Sequence, residues 1–351
     1  MFNISPLSNV HQAAIEQKIN NKTKPLGALG QLEALASQLV KIYTQNKDDI
    51  NDFCPQITNP QLIVFAGDHG VASKGVSIAP SEVTGQMVAN FAQGGAAINV
   101  FCQQLGWQLS VVDCGILQAP APEFNVLEQR LGTSTHAFHQ QPAMSIATVA
   151  KGFRLANSLI KEKHLQGCNL IAFGEMGIGN TTSASAIMSA LLGIPAYESV
   201  GKGTGVSDEV MLTKQQIIEQ ALTLHQDSLS DPIEILACFG GFEIVQMTGA
   251  MLAAAERKMA IVIDGFISTA AALVAIAINA DVKDYFIFAH CSGEQGHQKM
   301  LDAVNAKPLL NLGMRLGEGT GAALCLPLIQ SALAFYNDMA SFEQAAVTDV
   351  R

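Results

Sequence analysis

The sequence predicts an α/β fold built on a mostly parallel sheet covered by helices on both faces. Three observations carry that prediction. Short, continuously apolar runs recur along the chain, each stops abruptly at Gly, Asp, His or Glu, and alanine-rich helical stretches separate them. Strands buried on both faces read as unbroken apolar runs, and parallel neighbours need a helical crossover between them.

Taken in order, residues 1–22 read as an amphipathic helical segment without strands. In "TKPLGALGQLEALASQLVKIY", Pro25 and Gly27 break the chain, and Leu29, Leu32, Leu35 and Leu39 then mark one helical face. The strand runs are "LIVFAGDHG" (62–70), "LSVVDCG" (109–115), "LIAFGEMG" (170–177), "MAIVIDG" (259–265) and "YFIFAHCSG" (285–293). Ligands bind beyond the carboxyl ends of such strands. Asp68, His69, Asp113, Glu175, Asp264 and His290 are therefore expected along one edge. Residues 117–143 carry Pro120, Pro122 and Pro142 and no steady period, so they read as a long loop. The apolar stretch 259–280 is split by Asp264-Gly265 into a strand-length and a helix-length piece, each too short to span a bilayer. Residues 328–351 are again amphipathic and helical. The expected organisation is an α/β catalytic domain over 23–327 and a small helical lobe from 1–22 plus 328–351.

Composition narrows the function classes. Apolar residues make up 49% of the 351 and charged residues only 14%, well under the ~25% of ordinary soluble domains. So little surface charge suggests that a second subunit covers part of the molecule. A formal charge of −10 argues against nucleic acid or an anionic membrane as the main partner. Seven scattered cysteines without a CxxC pair fit a reducing cytosol. The N-terminus lacks the basic start and apolar core of a signal peptide. His136, His139, His290 and His297 lack metal-ligand spacing, so no structural zinc is expected.

Four stretches can carry chemistry. In "GEMGIGNTTSASAIMSALLG" (174–193) a strand ends in Gly174-Glu175, glycines turn the chain, and Asn180-Thr181-Thr182 offer cap-type side chains to a helix. That is a natural phosphate site, and equally an ordinary capped turn. A dinucleotide fingerprint needs glycine at position 182, which is Thr182, and its acidic residue would be Glu198, which follows Pro195. "GKGTGV" (201–206) precedes a second helix containing Lys214; it is not a P-loop, yet Gly201, Gly203 and Gly205 let backbone approach an anion. "AGDHGVASKGVSIAPSEVTGQM" (66–87) offers Ser77, Ser81 and Gln86 as hydrogen-bonding groups for a lid or pocket wall. In "MRLGEGTGAALCLPLI" (314–329), Glu318 sits between glycines just ahead of an apolar run. Thr320 is the better helix cap, which leaves Glu318 without a structural task. Partial burial would raise its pKa towards neutrality and suit it to general-base work.

Seven collinear stretches across nearly the whole chain resemble the nicotinate-nucleotide–dimethylbenzimidazole phosphoribosyltransferase family of cobalamin biosynthesis. They are "TKPLGALGQLE" (23–33), "DHGV" with "SIAPSEVTGQM" (68–87), "GEMGIGNTT" (174–182), "GKGTGV" (201–206), "GGFEIVQMTGAMLAAA" (240–255), "IDGFISTAAALVA" (263–275) and "MRLGEGTGAAL" (314–324). The resemblance implies a Rossmann-like main domain, a homodimer, no cofactor and no obligatory metal. It implies transfer of ribose 5-phosphate from nicotinate mononucleotide to 5,6-dimethylbenzimidazole, with Glu318 as the base. It places Glu175 near the ribose or the base, and Gly177, Gly179 and Asn180 beside the nucleotide. Gly201, Gly203 and Lys214 then receive the phosphate, and Gln86, Met87, Met314 and Leu316 line the benzimidazole pocket. The rival readings are a nicotinamide-dinucleotide oxidoreductase, resting on Gly177-Ile178-Gly179, and a non-catalytic binder of nucleotides or benzimidazoles.

Overall fold

The computed structural model describes residues 2–201 and 207–349. All five apolar runs are strands: β1 (Gln61–Gly67), β2 (Gln108–Gly115), β4 (Leu170–Met176), β5 (Ala260–Ile263) and β6 (Phe286–Phe288), with a short β3 (Leu127–Glu128) between β2 and β4. The sheet order is β3-β2-β1-β4-β5-β6, and every pairing is parallel. Chain order reverses between β1 and β4, so the crevice for a ligand opens there. All of β1 and β5, and all of β4 except Met176, are buried, as apolar runs without alternation require. β3 escapes a sequence reading because two residues carry no period.

Helices α1 (Gln12–Asn20) and α2 (Gln31–Thr44) precede the sheet, and α3 (Glu82–Gln93) and α4 (Ala97–Leu105) join β1 to β2. Then α5 (Ile146–Leu165) leads into β4. Between β4 and β5 lie α6 (Asn180–Leu192), α7 (Ala196–Ser199), α8 (Asp208–Leu224), α9 (Pro232–Phe239) and α10 (Phe242–Glu256). Beyond β5 come α11 (Phe266–Ile278), α12 (His297–Ala303), α13 (Thr320–Leu324) and α14 (Leu326–Asp338). The 259–280 stretch thus divides at Asp264-Gly265 into β5 and α11, and no described helix is long and apolar enough to cross a membrane.

The central helix is α10. Phe242 to Ala255 are all buried, because α10 packs on β1, β2, β4 and β5 and is flanked by α5 and α11. A helix buried on every side is expected to be mostly apolar, and within 242–255 only Glu243, Gln246 and Thr248 carry polar side chains. Close approach to α5 depends on small residues: a Cβ on Gly249 would lie 2.9 Å from Phe153 Cδ1 and 3.0 Å from Phe153 Cα.

The ends of the chain meet. Thr23 N donates to Ala340 O (3.1 Å) and Phe342 N to Asn21 O (3.1 Å), Lys18 Nζ lies 4.3 Å over the Tyr336 ring, and α14 packs against α2. The 117–143 segment is tied down. Arg130 donates to Asp113 and to Ile116 O, and Thr135 N donates to Asp68 O (3.1 Å).

Gly249→Val is expected to force α5 and α10 apart and destabilise the fold by about 1–3 kcal/mol through overpacking. A thermal melt would show a lower midpoint, with Gly249→Ala falling between the variant and the parent.

Candidate active site

Three of the expected polar strand endings gather at the crevice, whereas Asp68, His69 and Asp113 are buried and do not line it. Glu175 lies at the end of β4, Asp264 follows β5 and His290 follows β6, and all three line one cleft of about 120 Å³. The start of α6 (Asn180, Thr181), the start of α11 (Phe266, Ile267, Ser268), Ser292, Glu294 and residues 315–317 complete its wall. Two helix N-termini therefore face the cleft, a setting that favours bound anions.

Glu318 directly follows the cleft-lining Gly317, is not itself among the lining residues, and has an unusual backbone state. Gly317, Glu318 and Gly319 all have positive φ, at 81°, 62° and 85°. For the glutamate this costs about 1–2 kcal/mol, and such strain persists only where the surroundings over-determine it. They do here. A Cβ on Gly174 would overlap the Glu318 carbonyl, one on Gly317 would overlap the Glu175 carboxylate, and one on Gly319 would lie 3.2 Å from Gly174 Cα. Thr320 Oγ1 donates to Gly317 O (2.8 Å), and Asp264 Oδ1 accepts from Ala322 N (2.8 Å). Thus Gly319, not Thr320, is the N-cap of α13, and Asp264 supplies the capping carboxylate. A comparable shift occurs at α6. Its N-cap is the left-handed Gly179, which frees the Asn180 side chain to donate to Glu175 instead.

The cleft is rich in buried acid. Burial pushes the Glu318 carboxyl up to about 7, with the Asp264 charge adding to the rise and the Ile98 backbone N–H opposing it. One oxygen, Oε2, has no partner among the described residues. Burial also raises Asp264 to about 7, against backbone N–H donors that favour its charged form. Glu175 is held well above the usual carboxylate range by burial and then by the charges of Asp264 and Glu243. Burial keeps His290 below the usual imidazole value; its Nε2 lies 3.9 Å from Asp264 Oδ1.

Four of the twelve site residues singled out from the sequence line the cleft itself, and Glu318 is not among them. Glu175, Gly177, Asn180 and Leu316 line the cleft, and Gly179 packs on Ala72 and His69 beneath it. Lys214 is buried and donates to Thr181 Oγ1 (3.0 Å). Burial lowers its pKa, and Glu294 opposes that. Gly201 lies beside Glu294, where a Cβ would overlap the carboxylate. Gly203 falls outside the described residues. Met314 is half-buried and its carbonyl accepts from Gly293 N (2.8 Å). Gln86 is exposed and Met87 half-buried on α3, and neither is among the cleft-lining residues. From α3 it is Thr84 that reaches the site, its hydroxyl accepting from Ile178 N (3.1 Å).

Sequence reasoning missed Glu243. It is fully buried in the first turn of α10 and 2.6 Å from His69 Nε2. The available signal was an acid two residues after Gly240-Gly241, in the first turn of a mostly apolar helix.

A parallel sheet of this order, with glycine turns, two helix N-termini and a buried lysine around a cleft, defines an α/β enzyme that handles a phosphorylated, nucleotide-like substrate. Comparison with known proteins makes this specific. A family model described as phosphoribosyltransferase matches residues 4–347. The nicotinate-nucleotide–dimethylbenzimidazole phosphoribosyltransferase of Pseudoalteromonas translucida is 62% identical, over 100% of both chains. The enzyme of the same name from Shewanella sp. (strain W3-18-1) is 60% identical over 99% of this chain and 98% of its own. A solved structure under that name from Thermus thermophilus superposes with a TM-score of 0.89 at 35% identity, covering 96% of this chain and 98% of the other. The chain belongs to this phosphoribosyltransferase family.

The raised Glu318 pKa makes stability depend on pH. The folded state holds this proton more tightly than the unfolded chain between about 4.5 and about 7, so its contribution to stability falls as pH rises through that window. Glu318→Gln should remove this fall. Melting midpoints at pH 5 and pH 8 are expected to show the variant gaining on the parent at the higher pH.

Proposed function

We propose that this enzyme transfers the ribose 5-phosphate of nicotinate mononucleotide to 5,6-dimethylbenzimidazole, releasing nicotinate and forming α-ribazole 5′-phosphate, the lower-ligand nucleotide of cobalamin. The observation that carries the reading is Glu318: a strained, buried carboxyl with a pKa near 7, one oxygen without a hydrogen-bond partner among the described residues, and a place in the chain directly after the cleft-lining Gly317. Its relatives' names supply the substrates.

The chemistry follows from what the substrates need. One benzimidazole nitrogen forms a bond to ribose C1′ from the face opposite nicotinate, so the β-linkage becomes α. The bond to the pyridinium nitrogen breaks, its electron pair returns to that ring, and nicotinate leaves without needing a proton. The other benzimidazole nitrogen must lose its proton, and Glu318 Oε2 takes it. A base is most effective when its pKa lies near the working pH, and burial brings Glu318 there. Positive charge on the ribose grows as the pyridinium departs. The neighbouring Asp264, when ionised, gives the cleft a negative charge that complements it.

The remaining roles follow the same division. Gly177, Gly179 and Asn180 border the nucleotide, and Glu175, held by Asn180, meets the ribose or the base. Gly201, Gly203 and Lys214 receive the phosphate; the buried Lys214 beside Thr181 supports this, as does the α6 N-terminus. Leu316, exposed at the cleft, gives the benzimidazole an apolar wall, with Met314, Gln86 and Met87 as further contacts. The low surface charge supports a homodimer, and seven unpaired cysteines support a cytoplasmic enzyme.

Incubation of the protein with nicotinate mononucleotide and dimethylbenzimidazole is expected to give nicotinate and a product with the mass of α-ribazole 5′-phosphate. No nicotinate release would overturn the reading. Glu318→Gln should lower turnover by about 10²–10⁴-fold, the usual worth of a general base, with nucleotide affinity kept. The parent's turnover should fall below pH about 7 as Glu318 becomes protonated. A flat profile there would remove Glu318 from the mechanism.

A further inference from the structure

The reaction above uses no residue at the end of β1, yet the chain buries an expensive pair there. His69 Nε2 lies 2.6 Å from Glu243 Oε1, with the side chains 1% and 0% exposed. Glu243 Oε2 and His69 Nδ1 have no hydrogen-bond partner among the described residues. Burying two ionisable groups costs several kcal/mol per ion, and well-packed apolar residues usually serve a core as well or better. Stability of the fold does not explain the pair.

What the pair touches does. It lies beneath the crevice between β1 and β4, under the turn that opens α6. A Cβ on Gly177 would sit 3.3 Å from the His69 ring, and one on Gly179 3.4 Å from His69 Cβ. A Cβ on Gly67 would lie 2.6 Å from Glu243 Oε2, and one on Gly241 2.7 Å from His69 Nε2. Glycines at 67 and 241 thus let two backbone segments close on these two side chains, while a Cβ on Gly177 would overlap Gly67 O first and then meet the His69 ring. Across the turn, Thr84 Oγ1 fixes Ile178 N (3.1 Å), so residues 177–179 are held between α3 and the pair. Asn180 follows directly and holds Glu175, whose proton Glu243 helps to retain.

We infer that His69 and Glu243 act as one positioning unit for the nucleotide end of the site, setting the height of the 177–179 turn and so the place of Asn180 and Glu175. Neither is a catalytic residue, since both lie below the cleft. The inference rests on the phosphoribosyl-transfer reading and deepens it.

The test is a split between the two substrates. In Glu243→Gln and His69→Gln, KM for nicotinate mononucleotide should rise about tenfold or more, since small displacements in a site are costly. KM for dimethylbenzimidazole should move less than about twofold, because the 177–179 turn borders the nucleotide and not the benzimidazole wall. Because the residues act as a unit, the double Gln variant should be no worse than the poorer single. His69→Phe with Glu243→Met replaces the pair by apolar groups of similar volume and leaves no lone buried charge. It carries the test if the Gln variants do not fold, and the same rise in nucleotide KM is expected. Folded variants whose nucleotide KM is unchanged, or whose two KM values rise together, would overturn the inference. A parent enzyme that releases no nicotinate would instead strike at the transfer reading.

Discussion

The contact on which the site depends is backbone against backbone: the left-handed turn 317–319 pressed onto the end of β4. Gly174 admits the Glu318 carbonyl where any side chain would collide, and Gly317 admits the Glu175 carboxylate. Each glycine is needed for the other segment's acid. The interlock places Glu318 and Glu175 side by side at the one point where chain order in the sheet reverses. Asp264 then fastens the turn from β5 by capping α13. Three segments far apart in sequence are joined with almost no side chain between them, which leaves no slack for the carboxylates to relax towards solvent.

That lack of slack keeps the carboxyls desolvated and so raises their proton affinity. A free glutamate is too acidic to hold a proton near neutrality, and an exposed one would be screened by water. Burial beside Asp264 raises Glu318 to about 7, while the N–H of Ile98 keeps the charged form accessible. The same burial, with the charges of Asp264 and Glu243, also raises the Glu175 carboxyl. Three neighbouring carboxyls are thus all raised, burial being the largest cause for each. The fold bears the strain because β1, β5 and all of β4 but Met176 are buried and α10 packs across four strands of the sheet.

Much of the architecture was legible from the sequence. Unbroken apolar runs gave the strands, and their polar endings marked the edge where Glu175, Asp264 and His290 meet, since strand ends in a parallel sheet point one way. Local chemistry was less faithful at the helix starts. Asn180 and Thr320 look like caps, yet glycines in left-handed conformations take both positions and release those side chains for other work. Backbone state at a glycine depends on what presses against it, and one-dimensional pattern does not carry that. Glu243 was hidden for a related reason: an acid in the first turn of a helix is commonplace, and its partner His69 lies 174 residues earlier.

By itself the sequence determined the fold class, the acid-rich ligand edge and, through seven collinear motifs, the family. Those depend on hydrophobic period and on short local signatures, which survive without knowledge of neighbours. The tertiary structure alone decided how deeply Glu318 is buried, that Asp264 holds its loop, that Thr84 is the α3 residue reaching the glycine turn, and that His69 and Glu243 lie beneath it. Each of these is a distance between segments remote in the chain. Desolvation and charge coupling, which set the proton affinities, are functions of such distances and not of residue order.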